Sequence, residues 1–390
     1  MDFSLRETDQ RLVERVRNFA ASELAEGALR RVHDDEYPRD IARRLAAEGF
    51  LGLTIPVADG GQGGTLLQAV LTIEAISMVC PKSADVVQVG NFGPIRLLSA
   101  FGSAAQKRRF LDPLLKGEII FTVAMTEPDA GSAVTDLQTA AVPDGDGVRV
   151  SGEKIYTTHG READVFLTYV RYGPGVDGIG SVLIERDDPG VSYSEPERFL
   201  SGERWVRMRL DDVRVPADRV FLREGGFRKQ IDGFNVERLG NAARSLGLGR
   251  CSLALAREHA LNRRQFGRPL CEFQGLQWGF AEQEVALQAA QLLLYRAAAN
   301  ADLGFPSATE TAIAKIQCNV AGFAAADFAM QVMGAAGYSE SSLVEFCFRR
   351  TRGWQIAGGS LEMMKNRVAE AIFDRRFSQR PARSARSATS

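Results

Sequence analysis

The 390 residues hold few of the side chains from which stapled or metal-built proteins are made. Five cysteines, Cys80, Cys251, Cys271, Cys318 and Cys347, are scattered, odd in number and never spaced C-x-x-C. That pattern argues against a disulfide framework or a zinc site and points to a reducing cytoplasm. Three histidines occur, His33, His159 and His259. None is spaced to share a metal with another, so no metal site is expected. No apolar run approaches the ~18 residues of a membrane span. The start, Met1-Asp-Phe-Ser-Leu-Arg6, lacks the charged-then-apolar pattern of an export signal. An excess of one charge is missing too: 48 Lys and Arg stand against 49 Asp and Glu. Neither nucleic acid nor an anionic membrane is therefore expected as a partner. The length suits about two or three globular domains at ~150 residues each.

Against these absences one stretch stands out, Phe121-Thr-Val-Ala-Met125-Thr-Glu-Pro-Asp-Ala130-Gly-Ser-Ala-Val134. It opens as an apolar, β-prone run and then switches to turn chemistry. Pro128 stops the strand and Asp129 favours a turn. Gly131 lets a ligand approach the backbone. Gly131 and Ser132 offer N–H groups and a hydroxyl suited to a phosphate. Thr126 adds a second hydroxyl at the strand's end.

Before this stretch the chain reads as helical. Ser4-x-x-Glu7 has the form of a capping box, with Thr8 as another possible cap, and Leu12, Val16, Phe19 and Ala20 share a helical face. Asp59-Gly-Gly-Gln-Gly-Gly64 reads as a tight entry to a helix capped by Thr65-x-x-Gln68. Helical turns from Pro94 to Phe101 and from Ala104 to Leu115 continue the bundle. After it, short apolar runs such as Val165–Val170 and Ser181–Ile184 alternate with turns and predict a small antiparallel β domain. Gly173-Pro-Gly-Val-Asp-Gly178 is a literal G-x-G-x-x-G, but a β run follows it and no helix, so it reads as a hairpin loop. Helical periodicity returns over Asp232–Arg263, Phe273–Asp302, Ser307–Met333 and Leu361–Phe373. The fold class is thus α+β: a helical domain over 1–120, a β domain over 121–230, a helical bundle over 231–377 and a solvated tail over 378–390.

Ala124-Met-Thr-Glu-Pro-Asp-Ala-Gly-Ser132 resembles the flavin-contacting signature of the FAD-dependent acyl-CoA dehydrogenase family, and helical, β, helical is that family's order. Gly152-Glu-Lys-Ile-Tyr-Thr-Thr-His-Gly160 is similar to its second flavin-facing segment. Asp211-Asp-Val-Arg-Val-Pro216 resembles its last barrel strand, and Arg263-Arg-Gln-Phe-Gly267 with Phe273-Gln274 its R-x-x-F-G and F-Q pair. Gln331-Val-Met-Gly-Ala-Ala-Gly-Tyr338 resembles its adenosine-binding turn, with Ala335 where Gly is usual. The resemblance implies that Met125, Thr126, Gly131, Ser132, Tyr156 and Thr158 contact the flavin of FAD. It implies that Arg263, Gln265, Phe266, Phe273, Gln274, Gln331, Gly334 and Ala335 hold the pyrophosphate and adenosine of a neighbouring subunit's FAD. Ser360 and Glu362 fall where the family meets the flavin, and Ser132 and Arg238 where it meets substrate. A homotetramer, an acyl-CoA substrate and an electron-transfer flavoprotein as acceptor are implied as well.

The family's chemistry removes a proton beside a thioester and a hydride from the next carbon, so it needs one carboxylate base. Most members carry it near the C-terminus, where this chain has Gly358. Some branches carry it in a stretch like L-E-R-L, which Asn235-Val-Glu237-Arg-Leu239 matches. Glu237 is the expected base, and Gly358 is expected to offer its backbone N–H to the thioester carbonyl. Glu362 is the runner-up base. Ala133 stands where the family usually has Asp. That keeps two alternatives open: a same-fold flavoprotein with non-oxidative, desulfinase-like acyl-CoA chemistry, and a catalytically silent FAD-binding subunit.

Overall fold

The computed structural model describes residues 4–378, so the expected tail lies outside the described residues except for Ser378. The chain opens with α1 Glu7–Phe19, α2 Ala28–His33, α3 Arg39–Ala47, α4 Leu66–Ser77, α5 Ser83–Asn91 and α6 Pro94–Phe101. The turns α7 Ala104–Gln106 and α8 Asp112–Leu115 close this part. The start of α1 differs from the sequence expectation. Arg6 is its N-cap, no side chain caps it, and Arg6 pairs with Asp9 at 2.9 Å. The predicted Thr65–Gln68 capping box is present in both directions.

The sheet holds β1 Phe121–Ala124, β2 Ala140–Asp144, β3 Gly147–Thr158, β4 Val165–Arg171, β5 Ile179–Glu185, β6 Val191–Tyr193, β7 Glu197–Arg198, β8 Arg204–Val215 and β9 Val220–Leu222. Its main order is β6-β8-β3-β2-β4-β5-β9. The sheet is mixed, which corrects the expectation of a purely antiparallel one. β1 lies parallel to β4, with Phe121 opposite Val165, and β2 meets β4 in parallel at Ala140 and Arg171. Neither pair is joined by a hairpin, and only hairpin connections force an antiparallel pair. The G-x-G-x-x-G segment does join antiparallel β4 and β5 as a loop. The stretch at Asp211 belongs to β8, and β9 follows it as the last strand.

The C-terminal part holds α9 Phe227–Asn262, α10 Gln274–Ala301, α11 Ala308–Met333, α12 Ala335–Tyr338, α13 Leu343–Trp354 and α14 Leu361–Ile372. A two-stranded hairpin, β10 Arg264–Gln265 and β11 Arg268–Pro269, links α9 towards α10. Helix α13 was not predicted, although Val344, Cys347, Thr351 and Trp354 are all buried at a 3-4-3 spacing. Gly249 of α9 faces Gly322 of α11, where a Cβ would come within 2.7 Å of the partner's Cα, so the two helices touch backbone to backbone. One core runs through all three parts, joining Val70 and Ile73, Val150 and Val213, and Leu239 and Leu246. Burying each such side chain contributes about 1.5–3 kcal/mol. It fixes α9 against both the first helices and the bundle.

Candidate active site

Glu237 sits eleven residues into α9, not at the helix start, so the helix dipole does not account for it. Its carboxylate faces Gly93, whose φ of +68° leaves the chain close by, and any Cβ there would run into Glu237 Oε2. Arg244 Nη2 lies 4.0 Å from Glu237 Oε1. Burial holds the Glu237 carboxyl above the usual range, opposed by Arg244 and Gln88 and assisted by Asp85. Arg244 is itself committed to Asp85 at 2.7 Å, and Asp85 to Arg350 at 2.8 Å. Arg350 also pairs with Glu203. This buried chain of alternating charge fixes Arg244 beside Glu237.

The loop between α13 and α14 carries Gly358 and Gly359, at φ +71° and +92°. The carbonyls at its two ends are taken. Trp354 O accepts from Lys315 Nζ at 3.0 Å and Asn319 Nδ2 at 2.7 Å. Gly359 O accepts from Lys315 Nζ at 2.9 Å, and Gly358 O from Arg238 Nε at 3.0 Å. Arg238, expected at the substrate, thus has its Nε on this loop and its Nη1 on Asn235 at 2.7 Å. The N–H groups of Gly358, Gly359 and Ser360 have no hydrogen-bond partner among the described residues. Three free N–H groups in a row at the start of α14 form a donor nest. Ser360 caps that helix, accepting from Met363 N. Asn241, one turn after Glu237, faces Gly358 at 3.6 Å from where a Cβ would stand, so base candidate and nest adjoin. Glu362 points elsewhere: its side chain is 75% exposed, and its own backbone N–H and the Ser360 hydroxyl hold it below the usual range.

The signature turn after β1 is pinned from below. Glu127 pairs with fully buried Lys154 at 2.8 Å and accepts from Thr139 N at 2.9 Å. Burial pushes the Lys154 amine down to about 8 against the pull of Glu127. Thr126 O accepts from Ile155 N at 2.9 Å, which binds the turn after β1 to β3. Met125 and Thr126 are half-buried, and Gly131 and Ser132 are exposed, with open space where a Gly131 side chain would lie. The register between β3 and β8 shifts after Lys154, and Tyr156 takes φ +56°, which is rare for a bulky residue. Tyr156 rests on Trp205 at 4.5 Å and stays half exposed, while Thr158 ends β3 opposite Trp205.

The remaining candidates gather elsewhere. Arg263, at the end of α9, and the turn after α11 border one cavity of about 690 Å³, with His259, Met333 and Ala336 in its wall. Arg263 has no carboxylate partner among the described residues. Gln331, Gly334 and Ala335 are exposed around that turn, and a Cβ on Gly334 would meet nothing within 4 Å. Gln265 and Gln274 lie exposed on the hairpin and the start of α10, Phe273 between them is half-buried, and Phe266 at the hairpin's tip is 93% exposed. Trp278, Val285 and Leu292 continue an exposed apolar row along α10. An open glycine turn with a hydroxyl, an unpaired guanidinium and a roomy cavity fit the parts of a flavin dinucleotide. Among the described residues no cluster of His, Cys, Asp or Glu could hold a metal, and no helix is long and apolar enough to cross a membrane.

Sequence reasoning missed Lys315, Asn241, Asn319 and Arg244. They lie in helices with no motif around them, and only the fold brings them to the loop and to Glu237.

The N-terminal, middle and C-terminal domains of acyl-CoA dehydrogenase match residues 6–118, 122–213 and 224–373. The chain belongs to the acyl-CoA dehydrogenase family. A 3-sulfinopropanoyl-CoA desulfinase from Paraburkholderia xenovorans is 32% identical over 97% of this chain and 99% of its own. Butyryl-CoA dehydrogenase from Megasphaera elsdenii superposes with a TM-score of 0.90 at 29% identity, over 96% of this chain and 100% of that one. An FAD complex of PigA superposes with a TM-score of 0.89 at 26% identity, over 96% and 99%.

Proposed function

We propose that this chain binds FAD and oxidises an acyl-CoA thioester between its α and β carbons. The observation that carries the reading is Glu237, an inward carboxylate whose pKa burial raises, one helical turn before Asn241, which itself faces Gly358. FAD, when bound, supplies the acceptor for the hydride that leaves the β carbon. Met125, Thr126, Gly131, Ser132, Tyr156, Thr158 and Ser360 would hold its flavin half. Arg263, Gln331, Gly334 and Ala335 would hold the adenosine half, with Gln265, Phe266, Phe273 and Gln274 beside them. The Gly358 N–H donates to the thioester carbonyl and so stabilises charge that builds on that oxygen as the α-proton leaves. Glu237 takes the proton. Burial raises its affinity for that proton, and nearby Arg244 opposes the rise by favouring the ionised form.

The adenosine-holding residues project outward with Phe266, beside the apolar row of α10. That exposed face suits a second copy of the chain, so the assembly is read as a homotetramer with FAD shared between copies. Electrons would pass on to a carrier such as an electron-transfer flavoprotein, in the cytoplasm. Anaerobic mixing of the yellow holoprotein with a panel of acyl-CoAs tests the reading. Flavin bleaching is expected with at least one, and its absence across the panel overturns it.

A second reading has its own observation. Ala133 replaces the usual Asp, and a desulfinase is among the similar proteins. Desulfination needs a cation at the sulfinate. At the start of α5, Lys82 donates to Asp34 O at 3.3 Å and Asp85 is held by two arginines. Dehydrogenation is therefore favoured. Sulfite release from 3-sulfinopropanoyl-CoA would reverse that order.

A further inference from the structure

Lys315 is wholly buried in α11 and has no carboxylate within ion-pair reach among the described residues. Leaving an amine so placed is costly unless it is hydrogen-bonded, and burial pushes it down to about 7. Its two partners, Trp354 O and Gly359 O, are the two ends of the loop that carries Gly358. The amine therefore spans the loop. Asn319 doubles the bond at Trp354, and Arg238, the nearest other cation, holds Gly358 O between them. All three clasps pull carbonyl oxygens towards α9 and α11. A peptide's N–H points opposite to its carbonyl, so drawing the oxygens inward turns the loop's amides outward. The N–H groups opposite the held Gly358 and Gly359 oxygens are those of Gly359 and Ser360, two of the three partnerless donors, and the Gly358 N–H lies on the peptide just before them in the same tied loop. Two glycines at positive φ would otherwise leave this loop with little to hold one shape.

We propose that Lys315 is a positioning residue: by tying both ends of the loop to α11 it holds the backbone around Gly358 in the shape that presents the Gly358 N–H to the thioester carbonyl. The inference rests on the dehydrogenase reading of the same site and assigns one of its supports. Lys315 touches neither substrate nor cofactor in this account; it acts through the loop.

The test uses FAD-loaded protein and butanoyl-CoA with a ¹³C-labelled thioester carbonyl. The carbonyl stretch of the bound thioester is read by difference infrared spectroscopy, with FAD content and flavin-reduction rate measured alongside. In the unmutated protein the stretch should fall below its value in solution, as expected of a carbonyl accepting a strong hydrogen bond. In Lys315→Met the shift should shrink and flavin reduction should slow by roughly ten- to a thousandfold, the range for losing an oxyanion donor, with FAD content unchanged. Lys315→Gln keeps one donor and should fall between the two, and it carries the test if the Met variant does not fold. A full shift in the Gln or Met variant overturns the inference and leaves the dehydrogenase reading standing. A Lys315-dependent shift without any flavin bleaching does the reverse. A thioester carbonyl that is unshifted in the unmutated protein overturns both.

Discussion

Gly93 and Glu237, 144 positions apart, share one space: the carboxylate occupies the volume that a side chain at 93 would fill. The positive φ of Gly93 adds a second reason for glycine. Gly93→Ala should cost about 1–2 kcal/mol of stability from backbone strain alone. It should also turn Glu237 aside and slow flavin reduction beyond what the stability loss explains. Urea unfolding and stopped-flow reduction of the same preparation separate the two effects.

Glu237→Gln should keep FAD and acyl-CoA binding and slow flavin reduction by about 10² to 10⁴. Glu362→Gln, at an exposed side chain, should leave the rate near that of the unmutated protein. The reverse ranking would move the base to Glu362. Adding Gly358→Glu to Glu237→Gln should restore part of the rate. Space at 358 permits it, since a Cβ would meet Asn241 Nδ2 and Lys315 Cε at ordinary contact distances of 3.6 Å.

The pH profile follows from the raised Glu237 carboxyl. A base must be ionised to act, so reduction should speed up as pH rises through its folded-state pKa. That inflection lies above the 4.5 of an ordinary glutamate. Arg244 holds the value down, so Arg244→Gln should move the inflection to higher pH. In stability the sign is opposite: the protonated form favours the fold, so this group's contribution is full below the unfolded pKa and is lost as pH rises through the folded one. A rate inflection that stays put in Arg244→Gln counts against the assignment of Glu237.

Much of this arrangement could be read in the chain, and the limits have physical causes. Tyr156, Arg263 and the Gln331 turn stand in contiguous motifs, so resemblance found them. Lys315 meets Gly359 across 44 residues and Arg238 meets Gly358 across 120. Neither pair leaves a local trace, because burial selects a contact and not a spacing. The parallel β1–β4 pair was hidden for the same reason: strand patterns show alternation, not direction.

Glu127→Gln should be more damaging than its exposed neighbours suggest. Burial pushes the Glu127 carboxyl up, but Lys154 and the N–H groups of Thr139 and Gln138 together hold it below its ordinary value. Removing its charge leaves Lys154 buried without a counter-ion, at about 3–5 kcal/mol. Thermal unfolding and FAD content should fall together, because this pair sits under Met125 and Thr126. Stability from this carboxylate is present above its unfolded pKa and lost as pH falls through the folded one.

Arg263→Ala should weaken FAD retention and shift assembly towards smaller species on dilution, since a ligand shared across an interface stabilises that interface. Size-exclusion runs with and without added FAD read both effects. Full FAD content with unchanged assembly would remove Arg263 from the site.

The position of Glu237 inside a 36-residue helix divides labour in a way that a loop-borne carboxylate cannot. On the proposed reading, the proton acceptor would move only as the whole of α9 moves, while the polarising N–H would ride on a separate segment between α13 and α14. Substitutions in that segment can therefore accumulate, and reshape which thioesters are accommodated, without displacing the group that takes the proton. The two duties are open to change one at a time.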